Sequence, residues 1–169
     1  CSSGQEACSI LMSHSKYAKI GKRAIEIDAS DISNKILEKA KSGIYTQLEV
    51  QRGLPITDLV SYFEQAGEQA WKLKSELHSK INFSRFNMLK DIFPQNKYHI
   101  IFCRNVLIYQ NIPQRKEIIQ SILSALLPGG YLVLGNSENL LNLSNEYQQE
   151  NYEGCAFYCK PEKSAIKAA

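Results

Sequence analysis

Tyr98-His99-Ile100-Ile101-Phe102-Cys103, followed at once by Arg104-Asn105-Val106, is the stretch whose reading decides the fold. The run is nearly continuous in apolar residues, the pattern of a central parallel strand covered on both faces. Downstream, Gln114 to Leu127 is amphipathic and predicts a helix that Pro128-Gly129-Gly130 terminates. Tyr131 to Gly135 (Tyr-Leu-Val-Leu-Gly) then reads as another buried strand, and Cys155 to Cys159 as the last. Past Pro161 the chain is expected to fray.

Upstream the same alternation continues. Ser9 to His14 extends as a helix from the loop Cys1–Glu6, and Arg23 to Ala29 alternates apolar and polar residues like a strand. Ser33 can cap a helix over Asn34–Lys41 whose apolar face is Ile36, Leu37 and Ala40, and Ser42-Gly43 ends it. Gly53 and Pro55 break the chain before a short helix over Asp58–Gln65. Trp71–Lys74 and Ile81–Phe83 read as short strands. Strands alternating with helices point to an open α/β sheet.

Composition narrows the class. At 169 residues and 44% hydrophobic, the chain can bury one sizeable core. A net charge of +3 is too small to point to nucleic acid, which needs clustered Lys and Arg. No apolar run approaches the roughly 18 residues of a membrane span, and no secretory leader is expected. The five cysteines follow no zinc spacing. Cys155 and Cys159 lie roughly 13 Å apart along a strand, too far for shared ligation, so buried reduced thiols of a cytoplasmic protein are expected and no metal.

Ligands of open α/β sheets bind at the carboxyl ends of strands, so the loops that follow strands hold the candidates. Cys1-Ser2-Ser3-Gly4-Gln5-Glu6 is a small-residue loop entering a helix, where Gly4 permits close backbone approach; it lacks both the P-loop lysine and the dinucleotide glycine triplet. A packing turn explains it equally well. Asp31, just past the Ile25–Ala29 strand, is placed to accept from ribose hydroxyls, the alternative being a solvated turn aspartate near a helix start. Glu26 and Asp28 are rival carboxylates, Glu26 being mid-strand. Arg104 and Asn105 stand at the mouth of a buried strand, where polar groups are costly without a task, and Tyr109 follows. A surface Arg, a capping Asn and a core Tyr would be the bland counterpart.

Together these loops resemble the CheR-type chemotaxis receptor methyltransferase family. The resemblance runs through Cys1–Glu6, Ala29-Ser30-Asp31-Ile32, Ser42-Gly43-Ile44-Tyr45, Asn87-Met88-Leu89, Phe102-Cys103-Arg104-Asn105-Val106, Ile108-Tyr109 and Gly135-Asn136-Ser137-Glu138-Asn139, nearly the whole chain in order. It implies a Rossmann-like class I methyltransferase domain over 1–169 that binds S-adenosyl-L-methionine and releases S-adenosylhomocysteine. Ser3, Gly4 and Glu6 would surround the methionine part of the cofactor, Asp31 the ribose, and Ile32, Asn87 and Met88 the adenine. Arg104 and Asn105 would line the meeting place of cofactor and substrate, with Tyr109 near the transferred methyl group. Arg104 and Tyr109 are the catalytic candidates. It also implies a small β-subdomain inserted at about 47–77, a first strand and an N-terminal helical domain upstream of Cys1, a monomer, and chemotaxis receptor cytoplasmic helices as partners. Gln5-Glu6-Ala7-Cys8 departs from the family's usual Glu-Glu-Pro-Tyr, and Asn136 stands where His is frequent.

A glutamate substrate is already ionised at neutral pH, so the reaction calls for neither a base nor a metal. Two rival readings stand beside this one. An amine-directed nucleic-acid methyltransferase would carry Asn/Asp-Pro-Pro-Tyr where Arg104-Asn105-Val106-Leu107 stands. A non-catalytic cofactor-sensing or scaffold domain would keep the fold without the transfer.

Overall fold

The computed structural model describes residues 1–17 and 24–162, which fall into two compact units, Cys1–Asn87 and Met88–Ala169. The tail expected to fray after Pro161 falls largely on residues outside those described, as does Arg23, where a strand is expected to start; residues 24–26, expected to continue it, precede the strand that forms.

In the first unit, α1 runs Gln5–Tyr17 and buries Ala7, Cys8, Leu11 and Met12, one stripe at helical spacing. It starts four residues before the Ser9 expected from sequence, directly after Gly4. β1 covers Ile27–Asp31, so Glu26 precedes the strand rather than lying mid-strand, and Asp31 is its last residue rather than a loop residue. α2, Asn34–Ser42, is capped as expected. The Ser33 side chain accepts from the Ile36 N–H, and Gly43 closes the helix at φ 63°. β2 is Ile44–Thr46, α3 Gln47–Gln51 and α4 Ile56–Tyr62. The short helix expected over Asp58–Gln65 thus gives way at Phe63 to β3, Phe63–Gln65. β4 is Ala70–Leu73, α5 Ser75–His78 and β5 Ile81–Arg85.

β1 and β5 pair in parallel, Asp31 opposite Arg85. β2, β4 and β3 form a separate antiparallel sheet in that order. This small sheet overlaps residues 47–77, where an insertion is expected, and its first strand lies before residue 47. Leu11, Tyr45, Leu73 and Ile81 are among the residues of the core beneath them.

In the second unit, β6 is Tyr98–Cys103, α6 Ile112–Ala125 and β7 Leu126–Leu134. β8 is Gln148–Tyr152 and β9 Cys155–Cys159. The sheet order is β6-β7-β9-β8, with β6 and β7 parallel and β9 antiparallel to both its neighbours. The break foreseen at Pro128-Gly129-Gly130 lies inside β7, where the pairing slips between Tyr98–Leu126 and Ile100–Tyr131. Only glycine fits at 130, because a Cβ there would meet the Leu127 carbonyl oxygen at 2.8 Å.

Ile118, Ile119, Ile122, Leu126 and Leu132 are almost completely buried. Each contributes about 1.5–3 kcal/mol by leaving water. β6 is not covered on both faces as its composition suggested: Ile100 is 52% and Phe102 41% exposed. The strand sits at the end of its sheet, and the core takes up Ile101 and Cys103 on the opposite face. Among the cysteines, all free, only Cys8 and Cys103 are buried and Cys155 is exposed, so the expectation of buried thiols holds for two of five. Among the described residues no helix is long and apolar enough to cross a membrane, and no group of three or more His, Cys, Asp or Glu could hold a metal ion.

Candidate functional site

The opening loop of the first unit is a tight turn. The Gly4 N–H donates to the Cys1 carbonyl at 2.9 Å, with Ser2 at φ 49° and Gly4 at φ 84°. A Cβ on Gly4 would stand 3.2 Å from both the Ala40 Cβ and the Phe83 ring. Glycine therefore serves close packing of the turn as well as its left-handed backbone. Ser3 is buried, and its carbonyl accepts from the Tyr45 hydroxyl at 3.0 Å. That hydroxyl also lies 3.3 Å from the Cys8 Sγ. Burial pushes the Tyr45 hydroxyl above the ordinary tyrosine range, which favours the protonated form that donates to the loop. Tyr45 stood in one of the family-like strings without a role, and nothing in sequence spacing pairs it with Ser3.

Asp31 ties this loop to the end of β1. Its Oδ2 accepts from the Ser2 N–H at 2.9 Å and its Oδ1 from the Ser33 N–H at 3.0 Å. Burial pushes the carboxyl upward, but the N–H groups of Ser33 and Ser2 hold it down, and the group lies below the ordinary aspartate value. A carboxylate has about four lone-pair directions, so Asp31 can organise the turn and still accept from a diol. Ile32, beside it, is 55% exposed, an apolar surface next to a polar acceptor. Glu6 is half-buried in the first turn of α1, a helix start that leaves N–H groups without intrahelical acceptors. Asn87, also half-buried, follows β5 by two residues. The structure thus brings Ser3, Gly4 and Asp31 into one hydrogen-bonded turn.

In the second unit, Arg104 and Asn105 follow β6 directly, and both are exposed. They are therefore not buried polar groups that burial makes costly; both are exposed at the end of the strand. Tyr109 closes a single 3₁₀ turn, Leu107–Tyr109, and is 78% exposed. A core tyrosine is excluded. Leu107 alone anchors the turn in the core. Met88 is half-buried against that same core.

Glu138, which the sequence reading quoted but gave no task, holds the loop. Its Oε2 accepts from the Asn105 N–H at 2.7 Å and the Gly135 N–H at 2.9 Å. Its Oε1 accepts from Val106 at 3.0 Å and Ile108 at 3.3 Å. Asn105 sits at φ 58°, a left-handed conformation that asparagine tolerates better than most residues. A Cβ on Gly135 would lie 2.8 Å from the Glu138 Oε2, so glycine is required for the carboxylate to come this close. A cavity of about 210 Å³ beside the turn is lined by Leu107, Ile108, Ile112, Arg115, Glu138 and Leu141, among others. It includes neither Arg104, Asn105 nor Tyr109.

Comparison with known proteins supplies the remaining observation. A family model described as CheR methyltransferase, SAM binding domain, matches residues 1–155. A chemotaxis protein methyltransferase of Pseudomonas putida is 40% identical over 152 residues, 88% of this chain and 55% of that protein. One from Pseudomonas aeruginosa is 39% identical, covering 88% of this chain and 56% of its own length. A chemotaxis protein methyltransferase of Vibrio cholerae is 33% identical over 168 residues, 96% of this chain and 57% of its own. The chain therefore spans about half the length of the curated relatives it matches.

Proposed function

The chain belongs to the CheR methyltransferase family, matching its S-adenosylmethionine-binding domain, and on that premise we propose that the protein containing it methyl-esterifies glutamate side chains of chemotaxis receptors. The observation that carries the reading is the loop Arg104–Tyr109, which presents an exposed guanidinium, an exposed amide and a 78% exposed tyrosine at the end of a strand. Asparagine-proline-proline-tyrosine, the arrangement that holds a base amine, is absent from this loop.

The residues of the first unit fit a nucleoside cofactor. Asp31, below the ordinary aspartate range, is ionised at neutral pH and accepts from ribose hydroxyls, while Ile32 and Asn87 flank the adenine. Ser3, Gly4 and Glu6 surround the amino-acid portion. When bound, S-adenosylmethionine supplies a sulfonium-activated methyl group. The receptor glutamate, with an unperturbed pKa near 4.3, arrives already ionised. No residue of this chain has to remove a proton; the work left is alignment. Arg104 pairs with the incoming carboxylate and the Tyr109 hydroxyl orients it, with Asn105 beside them, while Met88 keeps the adenine role that the resemblance gives it.

The departure Gln5-Glu6-Ala7-Cys8 does not speak for a scaffold that has lost the cofactor. Helix α1 begins at Gln5, and Ala7 and Cys8 are buried in its core-facing stripe. Titration of S-adenosylmethionine into the intact protein, followed by calorimetry, tests the reading. One cofactor per chain is expected; absence of binding would leave the non-catalytic scaffold.

A further inference from the structure

We infer that Glu138 is a positioning residue for methyl transfer, its carboxylate filling a nest of four backbone N–H groups that fixes how Arg104 and Tyr109 are presented. The inference rests on the proposed methyltransferase reading of the Arg104–Tyr109 loop and assigns that loop its organiser.

The four donors, on Asn105, Val106, Ile108 and Gly135, approach at 2.7–3.3 Å. Successive N–H groups around a left-handed residue converge into an anion-binding concavity, and Asn105 at φ 58° creates it. In many proteins such a concavity takes an external anion; here it is filled from within the chain. The geometry is built for the purpose on both sides. Gly135 leaves room that a Cβ would close, and the Glu138 N–H donates back to the Gly135 carbonyl at 2.9 Å.

Arg104, Asn105, Ile108 and Tyr109 are exposed, Leu107 is fully buried and Val106 packs half-buried against the same core. Between these two apolar anchors and the exposed residues, the hydrogen bonds to a single carboxylate tie the backbone from Asn105 to Ile108. Glutamine has the same shape, but its amide NH₂ would face N–H donors, and donor against donor cannot bond. Aspartate keeps the charge but is one methylene too short to span all four donors.

The test is Glu138→Gln in the intact protein that contains this chain, with three readouts. The expected result is a fall in kcat of about tenfold or more, S-adenosylmethionine affinity changed by less than about twofold, and faster hydrogen exchange at the amides of Asn105, Val106, Ile108 and Gly135. Unchanged kcat in an active protein, a loss of cofactor affinity as large as the loss of kcat, or unchanged exchange would overturn the inference. Should Glu138→Gln lose its cooperative melting transition, Glu138→Asp takes its place with the same expectations. If the wild type transfers no methyl group at all, the functional reading has failed, and hydrogen exchange alone decides whether the clamp exists.

Discussion

Asp31 and Tyr109 divide the candidate chemistry between a residue that organises and a residue that is presented. Asp31 accepts two N–H groups from segments on either side of it, so Asp31→Asn sets an amide NH₂ against a donor. Cofactor affinity is expected to fall about tenfold or more by calorimetry, since a misdirected polar group costs on the order of 1–3 kcal/mol. The same substitution has a pH signature. Because the folded carboxyl lies below its ordinary value, its stabilising effect is present above the ordinary aspartate range and is lost as pH falls through the folded value. The difference in urea midpoint between wild type and Asp31→Asn should therefore be constant near neutrality and shrink under acid. Tyr109→Phe is expected to lower methyl transfer and leave cofactor affinity nearly unchanged; loss of binding instead would remove Tyr109 from its role. Both residues were legible in the sequence as polar groups near strand ends. Glu138 and Tyr45 were not, because, Gly135 apart, their partners lie 30 to 42 positions away and no local pattern encodes such a pairing.

At the scale of elements, local chemistry set the boundaries wherever a cap was present. Ser33 and Gly43 delimit α2 as their types require. Gly43 is left-handed, and a Cβ there would meet the His78 ring at 2.9 Å. Gly43→Ala should therefore destabilise the protein by about 1–2 kcal/mol from backbone strain alone, read as a lower urea midpoint at unchanged slope. β8 escaped the sequence reading because Gln148-Gln149-Glu150-Asn151-Tyr152 is exposed throughout; it is held by its ladder to β9 rather than by an apolar face. The opposite error fell on β6. An apolar run implied two covered faces, but Ile100 and Phe102 stand on a face left half open, a difference that depends on neighbours and not on the strand's own residues.

For the molecule as a whole, the alternation of strands and helices was enough to give the α/β class, while the sheet order and the division into two units depend on long-range pairing. Burial also ranks the thiols. Cys8 and Cys103 are buried and Cys155 exposed, and burial raises the Cys8 thiol further. Alkylation near neutral pH followed by mass spectrometry should mark Cys155 in the native protein and reach Cys8 and Cys103 only after unfolding. The central claim, methyl transfer to a carboxylate, is tested most directly by incubating the intact protein with methyl-labelled S-adenosylmethionine and a receptor cytoplasmic fragment, then treating the product with base. Label on the receptor that base releases as methanol is the result expected of a glutamate ester. Label that survives base, or none on the receptor when cofactor is bound, would contradict it.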